Sequence, residues 1–320
     1  MSIGISLQGL QRGGRIRRSC PAFTLIELLV VIAVIAILIG ILLPALGKAR
    51  RTGQATACMA NNKSLVQVAH FYANENKSQL WFHYFEPVNA SDPRPYQTWC
   101  RTNTKRSASD WSICEPGPVY SYIENNPKIT ECPLNKRRGG DGASDNLNTG
   151  AKKGKDLFNS DKRLDFDYCM VTGVGGAQLG LDIQAAYVPP NLTSGTKLNA
   201  SDAPKLTRFP GLPIFIEESN YWYHDSKSGK VNDGLWGNAD QVSLRHENGA
   251  MVALWEGSVM HFKPPRGGDE RLEEPTKNFQ SNDIYVNRTS RDTNWVRLYY
   301  GGDQAPRAKQ YGWINSPRTF

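Results

Sequence analysis

The sequence predicts an α+β fold in which one long N-terminal helix packs on an antiparallel β-sheet with loop elaborations. Two observations lead to this prediction. An apolar run near the N-terminus continues into a pattern in which apolar residues recur every three or four positions, as along a single helix. Beyond it, short β-rich segments bounded by turn residues alternate with stretches rich in Gly and Pro, and no internal repeat is visible.

The apolar run indicates a membrane-spanning helix. Residues 28–43 read LLVVIAVIAILIGILL, and the wider apolar segment covers residues 23–46. At about 1.5 Å per residue, a helix of that length crosses a hydrocarbon core of about 30 Å. Because the first 22 residues contain four arginines and no acidic residue, we expect a single-pass chain with a cytoplasmic N-terminus and its main domain outside the inner membrane.

The net charge of +8 does not indicate a nucleic-acid-binding protein. Half of it comes from the arginines that precede the apolar run, Arg12, Arg15, Arg17 and Arg18. The rest of the chain is weakly basic, so no nucleic-acid partner is expected. With 39% hydrophobic and 21% charged residues, the chain also falls outside the composition of disordered proteins.

One carboxylate, Glu27, lies inside the apolar segment. An ionisable group there costs about 2.5–3.5 kcal/mol at a helix centre and less near the interface. A secretory signal would have a shorter apolar run followed by a small-residue cleavage site, and a plain anchor has no use for the carboxylate. Residues 22–32, AFTLIELLVVI, resemble the prepilin-type N-terminal cleavage/methylation motif of type IV pilins and type II secretion pseudopilins.

This resemblance implies processing and assembly. A prepilin peptidase would cut between Ala22 and Phe23 and methylate the new N-terminus, although the residue before the cut is usually Gly in that family. The apolar helix would stay as membrane anchor and later as filament core. Glu27 would become the fifth mature residue and pair with the Phe23 amine of a neighbouring subunit, which would make this charge an assembly device.

The expected organisation has four parts: a basic leader at residues 1–22, a transmembrane helix at 23–46, its amphipathic continuation at 47–76 and an extracytoplasmic β-rich domain at 77–320. Strands are expected from Leu212 and from Asn294, and an exposed loop at 135–156. Asn62 is assigned to the polar face of the helix. The face expected to pack on the domain contains Leu46, Ala49, Gly53, Ala57, Ala60, Ser64, Val68 and Phe71 or Tyr72.

Residues 242–262 form a second informative stretch. Asn248-Gly249 and Glu256-Gly257 are turn dipeptides, with strands expected at 250–255 and 258–262. His246, nine further residues and then Glu256-Gly257 resemble the H-X9-DG motif found near the C-terminus of many prepilin-like proteins, with Glu in place of Asp. The resemblance specifies no reaction.

No catalytic, cofactor or metal pattern is evident, so we expect a non-enzymatic chain without a cofactor or a metal. HxH, HExxH and paired Cys-x-x-Cys spacings are absent. The hairpin histidines are therefore expected to be structural or solvated. Residues 225–233 lack the spacing of calcium ligands. The residues considered as possible ligands are His246, His261, Glu217, Glu218 and Glu256.

Five cysteines remain once Cys20 leaves with the leader, an odd number that allows two disulfides and one thiol. Cys100–Cys114 is the favoured disulfide because it closes a short loop. Cys132, in a Cys-Pro turn, could reach back to Cys58 on the helix. Spacing leaves the pairing open.

The predicted function is that of a pseudopilin-like structural subunit, assembled with other pilin-like subunits into a type II secretion-like pseudopilus. The alternative is a membrane-anchored cell-surface binding protein, for example one that stacks sugars on exposed Trp and Tyr, with the prepilin motif as a sorting tag. An exposed groove lined by several Trp favours the alternative. A compact sheet packed on the helix favours the subunit.

Overall fold

The computed structural model describes residues 24–81, 96–97, 99, 101–103, 115–123, 127–134, 167–176, 183–189, 203–219, 234–237, 240–268, 277–287 and 296–297. These residues form one long helix, three small sheets and short 3-10 turns, which confirms the α+β prediction. The expected cleavage site Ala22–Phe23, the Cys100–Cys114 pair and the expected loop at 135–156 lie outside the described residues.

Helix α1 runs over Leu25–Glu75, with Pro44 inside it, and ends one residue before the end of the predicted continuation at residue 76. By contacts the chain divides into two compact units, Met1–Arg50 and Arg51–Phe320. In the first unit, every described residue of α1 is exposed. Among the described residues, α1 is the one helix long and apolar enough to cross a membrane by length and composition.

The strands are short, and most lie in the second half of the chain. They are β1 Tyr96–Gln97, β2 Arg101–Asn103, β3 Glu115–Pro116, β4 Tyr168–Val171, β5 Gln184–Tyr187, β6 Thr207–Arg208, β7 Pro213–Glu217, β8 Leu235–Trp236, β9 Ala250–Leu254, β10 Val259–Phe262, β11 Ile284–Asn287 and β12 Val296–Arg297. The 3-10 turns are Tyr120–Ile123, Pro127–Thr130, Thr172–Val174, Ala203–Lys205 and Ser281–Asp283.

The central sheet has five strands in the order β10-β9-β7-β4-β8. Its pairings are antiparallel except the one between β4 and β8. Every residue of β4, β7 and β9 is buried. Because successive side chains of a strand point to opposite faces, these three strands are covered on both faces. The other two sheets have the orders β1-β2-β3 and β12-β11-β5-β6.

The second half of α1 packs into the same core as these strands. Its buried residues are Cys58, Asn62, Leu65, Val66, Val68, Ala69 and Ala73. The predicted packing face was therefore largely wrong, because Gly53, Ala57 and Ala60 are exposed and Asn62 is buried. Asn62 can be buried because its side-chain amide donates to the Cys58 carbonyl oxygen one turn earlier, at 3.0 Å.

Aromatic contacts fix α1 and its exit segment against the sheet. The His70 ring stacks on Trp255 with centroids 4.6 Å apart, and His70 Nε2 donates to the Trp255 carbonyl oxygen at 2.6 Å. Beyond the helix, Trp81 Nε1 lies 2.8 Å from Met170 Sδ, and its ring contacts Phe215. The helix is thus held at the hairpin that follows β9 and, through Trp81, at β4 and β7.

Candidate functional site

The first site residue, Glu27, lies in the first turn of α1 and caps it. The backbone amide and the hydroxyl of Thr24 each donate to Glu27 Oε2 at 2.8 Å, and the Glu27 amide donates to Thr24 Oγ1 at 3.2 Å. This reciprocal arrangement is a capping box, which satisfies amide groups that a helix start leaves without intrahelical partners. The Thr-x-x-Glu spacing before an apolar run is the sequence signal for a capping box, which was not among the predictions.

Within the first unit, the part of α1 that follows Glu27 is apolar and exposed around its whole circumference. Ile37 is 62% exposed and Leu43 is 63% exposed. At Gly40 and Gly47, an added Cβ would meet nothing within 4 Å. A surface of this kind is stable against lipid or against other apolar helices, and not in water.

The second stretch, residues 242–262, forms a turn and a hairpin, with β9 and β10 close to the predicted strands. His246 and Gly249 exchange backbone hydrogen bonds of 2.9 Å across the turn. The positive φ angles fall on Glu247 and Asn248, at 49° and 63°, and not on Gly249. Gly249 is needed for another reason: a Cβ there would lie 2.5 Å from the Phe262 carbonyl oxygen.

Glu256 and Gly257 shape the tip of the β9–β10 hairpin. Gly257 has a φ of +92°, a conformation that favours glycine. Glu256 Oε1 accepts a hydrogen bond of 3.3 Å from the Leu212 amide, which fastens the tip to the segment before β7. These two residues of the H-X9-DG-like motif therefore have conformational and packing contacts.

His246, the third motif residue, is only 3% exposed, so of the two expected settings for a hairpin histidine, structural or solvated, it has the structural one. Its Nε2 lies 2.9 Å from Glu217 Oε1 and 3.5 Å from Cys132 Sγ. Cys132 Sγ in turn lies 2.9 Å from Cys58 Sγ. The donor atoms of this group lie within 4.8 Å of one another. We call it the donor cluster; its members are Cys58, Cys132, Glu217 and His246.

Four separate segments supply the donor cluster. Cys58 lies on the buried face of α1, and Cys132 follows the 3-10 turn Pro127–Thr130. Glu217 is the last residue of β7, and His246 belongs to the turn before β9. Because no two of them are close in sequence, no local spacing motif could have revealed the cluster. From the sequence, the two cysteines were expected only as a possible disulfide.

Neighbouring groups fix the orientation of these donors. Glu217 Oε2 accepts a hydrogen bond of 2.7 Å from the Met251 amide, which leaves Oε1 directed at His246. The Cys132 amide donates to Asp167 Oδ2 at 2.6 Å, and Asp167 forms a buried ion pair with Arg245. His246 is therefore a member of the cluster, and its neighbour Arg245 supports the cluster through Asp167.

The buried setting alters the protonation of the donors. Burial lowers the pKa of His246, but its hydrogen bonds with Cys132 and Glu217 outweigh burial and raise that pKa to about 9. The hydrogen bond with Cys58, together with burial, raises the pKa of the Cys132 thiol. At neutral pH and without a metal, these shifts favour an imidazolium beside Glu217 and a neutral Cys132 thiol.

The other residues proposed from the sequence as possible ligands lie outside the cluster. His261 Nε2 donates to the His246 carbonyl oxygen at 2.6 Å. Glu218 Oε2 accepts a hydrogen bond of 2.7 Å from Cys169 Sγ. Glu256 is engaged at the hairpin tip. Of the residues considered, the structure brings Glu217 and His246 together.

Comparison with known proteins informs the N-terminal segment. The chain has no match among curated proteins, and it has none among solved structures. One family model matches, described as the prokaryotic N-terminal methylation motif, over residues 17–43. The matched residues include Ala22, Phe23 and Glu27 together with most of the exposed apolar helix. The chain therefore carries a prepilin-type motif on a helix suited to membrane anchoring, and in this it is pilin-like.

Proposed function

We propose that this chain is a non-enzymatic pseudopilin-like subunit that assembles through its N-terminal helix into a type II secretion-like pseudopilus and supports protein secretion. The single observation that carries the proposal is the methylation motif at residues 17–43, whose helix is apolar and exposed. A prepilin peptidase is the partner that this motif implies, and other pilin-like subunits are the partners that the helix implies.

The exposed helix supports assembly for a physical reason. In lipid, helices associate through close packing and interhelical polar contacts because lipid chains are as apolar as the side chains. Glu27 is the charged residue in the matched apolar segment, so its carboxylate is the strongest candidate for such a contact. The amine of an incoming Phe23 would supply the opposite charge after cleavage.

The packing of the second unit favours the hypothesis of a filament subunit over that of a surface-binding module. Four tryptophans lie among the described residues, and each is at most 8% exposed: Trp81, Trp99, Trp236 and Trp255. Sugar binding by stacking requires exposed aromatic faces, which these four do not offer. The residues 51–75 of α1 instead pack into a common core with the sheet, as in the compact arrangement that the subunit hypothesis expects.

The proposal is tested by expressing the full chain together with a prepilin peptidase and the assembly proteins of a type II secretion system. We expect the chain in the sheared surface fraction and in crosslinked oligomers, and only when the peptidase is active. A matched culture with an inactive peptidase is the control. A chain that is cleaved but stays monomeric in the membrane under these conditions would contradict the proposal and favour the anchored binding protein.

A further inference from the structure

We propose that the donor cluster is a structural metal site for a divalent ion of the zinc class. Its ligands would be Cys58, Cys132, Glu217 and His246. The inference is independent of the pseudopilus proposal, because all four residues belong to the second compact unit and none lies in the methylation motif.

The donor set is the first argument. Zinc in proteins is bound by cysteine sulfur, histidine nitrogen and carboxylate oxygen, and structural sites have four protein ligands. The cluster offers two sulfurs, one ring nitrogen and one carboxylate oxygen within 4.8 Å of one another. Each of these residues is at most 3% exposed, so protein donors alone would surround the ion. A closed site of this kind serves structure and leaves no position for a substrate.

The support around the donors is the second argument. Ligands of metal sites are usually oriented by hydrogen bonds from a surrounding layer of groups. Glu217 has its second oxygen held by the Met251 amide, and the backbone of Cys132 is held by Asp167. The Leu134 amide also points at Cys132 Sγ at 3.4 Å. An amide directed at a sulfur stabilises the thiolate form, which is the form that binds metal.

The third argument is that a metal accounts for all four residues. A disulfide between Cys58 and Cys132 would use two donors and leave Glu217 and His246 as a buried ion pair. Such a pair adds little net stability, because the cost of desolvating both charges can exceed their attraction. A divalent ion uses the carboxylate and the imidazole as well, and displaces protons from the thiols and the ring. With Zn–S bonds of about 2.3 Å in a tetrahedron, the two sulfurs would move apart by about 1 Å from their 2.9 Å contact.

The position of the site indicates its purpose. Cys58 lies on α1, while the other three donors lie after a 3-10 turn, at the end of β7 and before β9. An ion held by all four would tie residues 51–75 of the helix to the central sheet. Metal binding would then contribute directly to folding of the second unit.

The test uses the full chain, purified in detergent under reducing conditions from zinc-supplemented cells. We expect about one zinc per chain by elemental mass spectrometry. Replacement by Co²⁺ should give the absorption of a tetrahedral ion with a thiolate-to-cobalt charge-transfer band, and added Zn²⁺ should abolish that band. These measurements need no variant, so they remain decisive if a ligand variant fails to fold.

Variants assign the ligands. Cys58→Ser and His246→Gln should each lose most of the bound zinc, and Cys58→Ser should also weaken the charge-transfer band. Cys169→Ser is the matched control, because Cys169 is equally buried but bonds to Glu218. It should retain zinc. A reduced wild-type chain that binds neither ion would overturn the proposal. So would a chain that is prepared anaerobically without reductant and with excess zinc, if peptide mapping by mass spectrometry then shows a Cys58–Cys132 disulfide. Zinc retained by both ligand variants would also overturn it.

Discussion

The Glu27 carboxylate accepts hydrogen bonds from both the backbone amide and the hydroxyl of Thr24, each at 2.8 Å. In the single chain this carboxylate therefore has a partner within its own helix turn. The pairing with an incoming amine would have to compete with that capping box or share the carboxylate with it. Glu27 thus caps the helix in the single chain and has a proposed second role in subunit recruitment, and substitutions can separate the two.

Processing gives the first prediction. The wild-type chain should yield a mature protein that begins at N-methylated Phe23 when a prepilin peptidase is present. Ala22→Gly should be cleaved at least as efficiently, since glycine is the usual residue before the cut in the resembling family. Ala22→Leu should block cleavage, because a bulky side chain replaces a small one. Intact-mass measurement distinguishes these outcomes, and a mature N-terminus after Leu46 would instead indicate an ordinary signal peptide.

The fold class and the hairpin were predictable because they depend on local patterns. An uninterrupted apolar run followed by an amphipathic pattern predicted the end of the helix to within one residue. The Glu256-Gly257 dipeptide predicted the position of the β9–β10 turn. The buried face of α1 was not predictable in the same way. Asn62 looks polar in a sequence, but its own helix supplies the hydrogen bond that allows burial.

The donor cluster shows a second limit of sequence reasoning. Cys58 and Cys132 are 74 residues apart, and the other donors lie on β7 and in the turn before β9. Sequence spacing finds metal ligands when two of them share one helix or one loop. Here each ligand stands alone on its segment, so only the packing of α1 on the sheet brings them together.

The ion pair of Arg245 and Asp167 gives the second prediction. Asp167 is fully buried, and it also accepts the Cys132 amide. Asp167→Asn should lower the free energy of unfolding by about 3–5 kcal/mol, because it leaves a largely buried guanidinium without its counter-charge. Tryptophan fluorescence of the full chain in detergent, followed through denaturant, measures the change.

A double-mutant cycle is the control for this ion pair. Arg245→Met combined with Asp167→Asn should destabilise the chain by less than the sum of the single changes, because the second substitution removes the uncompensated charge. Strict additivity of the two effects would show that these side chains do not depend on each other.

Close approach at Gly249 gives the third prediction. An added Cβ would lie 2.5 Å from the Phe262 carbonyl oxygen and 2.7 Å from His261 Nε2. Since a backbone atom cannot move away as a flexible side chain can, Gly249→Ala should cost about 1–3 kcal/mol of unfolding free energy. Gly53→Ala is the matched control: its Cβ meets nothing within 4 Å, and Ala favours an exposed helix by up to about 1 kcal/mol. The two changes should shift the thermal unfolding midpoint in opposite directions.

The last prediction separates the two roles of Glu27. Thr24→Val removes the hydroxyl of the capping box but keeps the carboxylate, so the chain should still be cleaved and still enter filaments. Glu27→Gln keeps a side-chain oxygen that can accept from Thr24 but removes the charge, so the chain should be cleaved and inserted in the membrane yet be lost from the sheared fraction. Removing one member of a buried charge pair typically costs about 3–5 kcal/mol, enough to abolish an assembly step. Recovery of both variants is compared with wild type in one shear-fraction experiment. Equal recovery of Glu27→Gln and wild type would show that the carboxylate serves only to cap the helix.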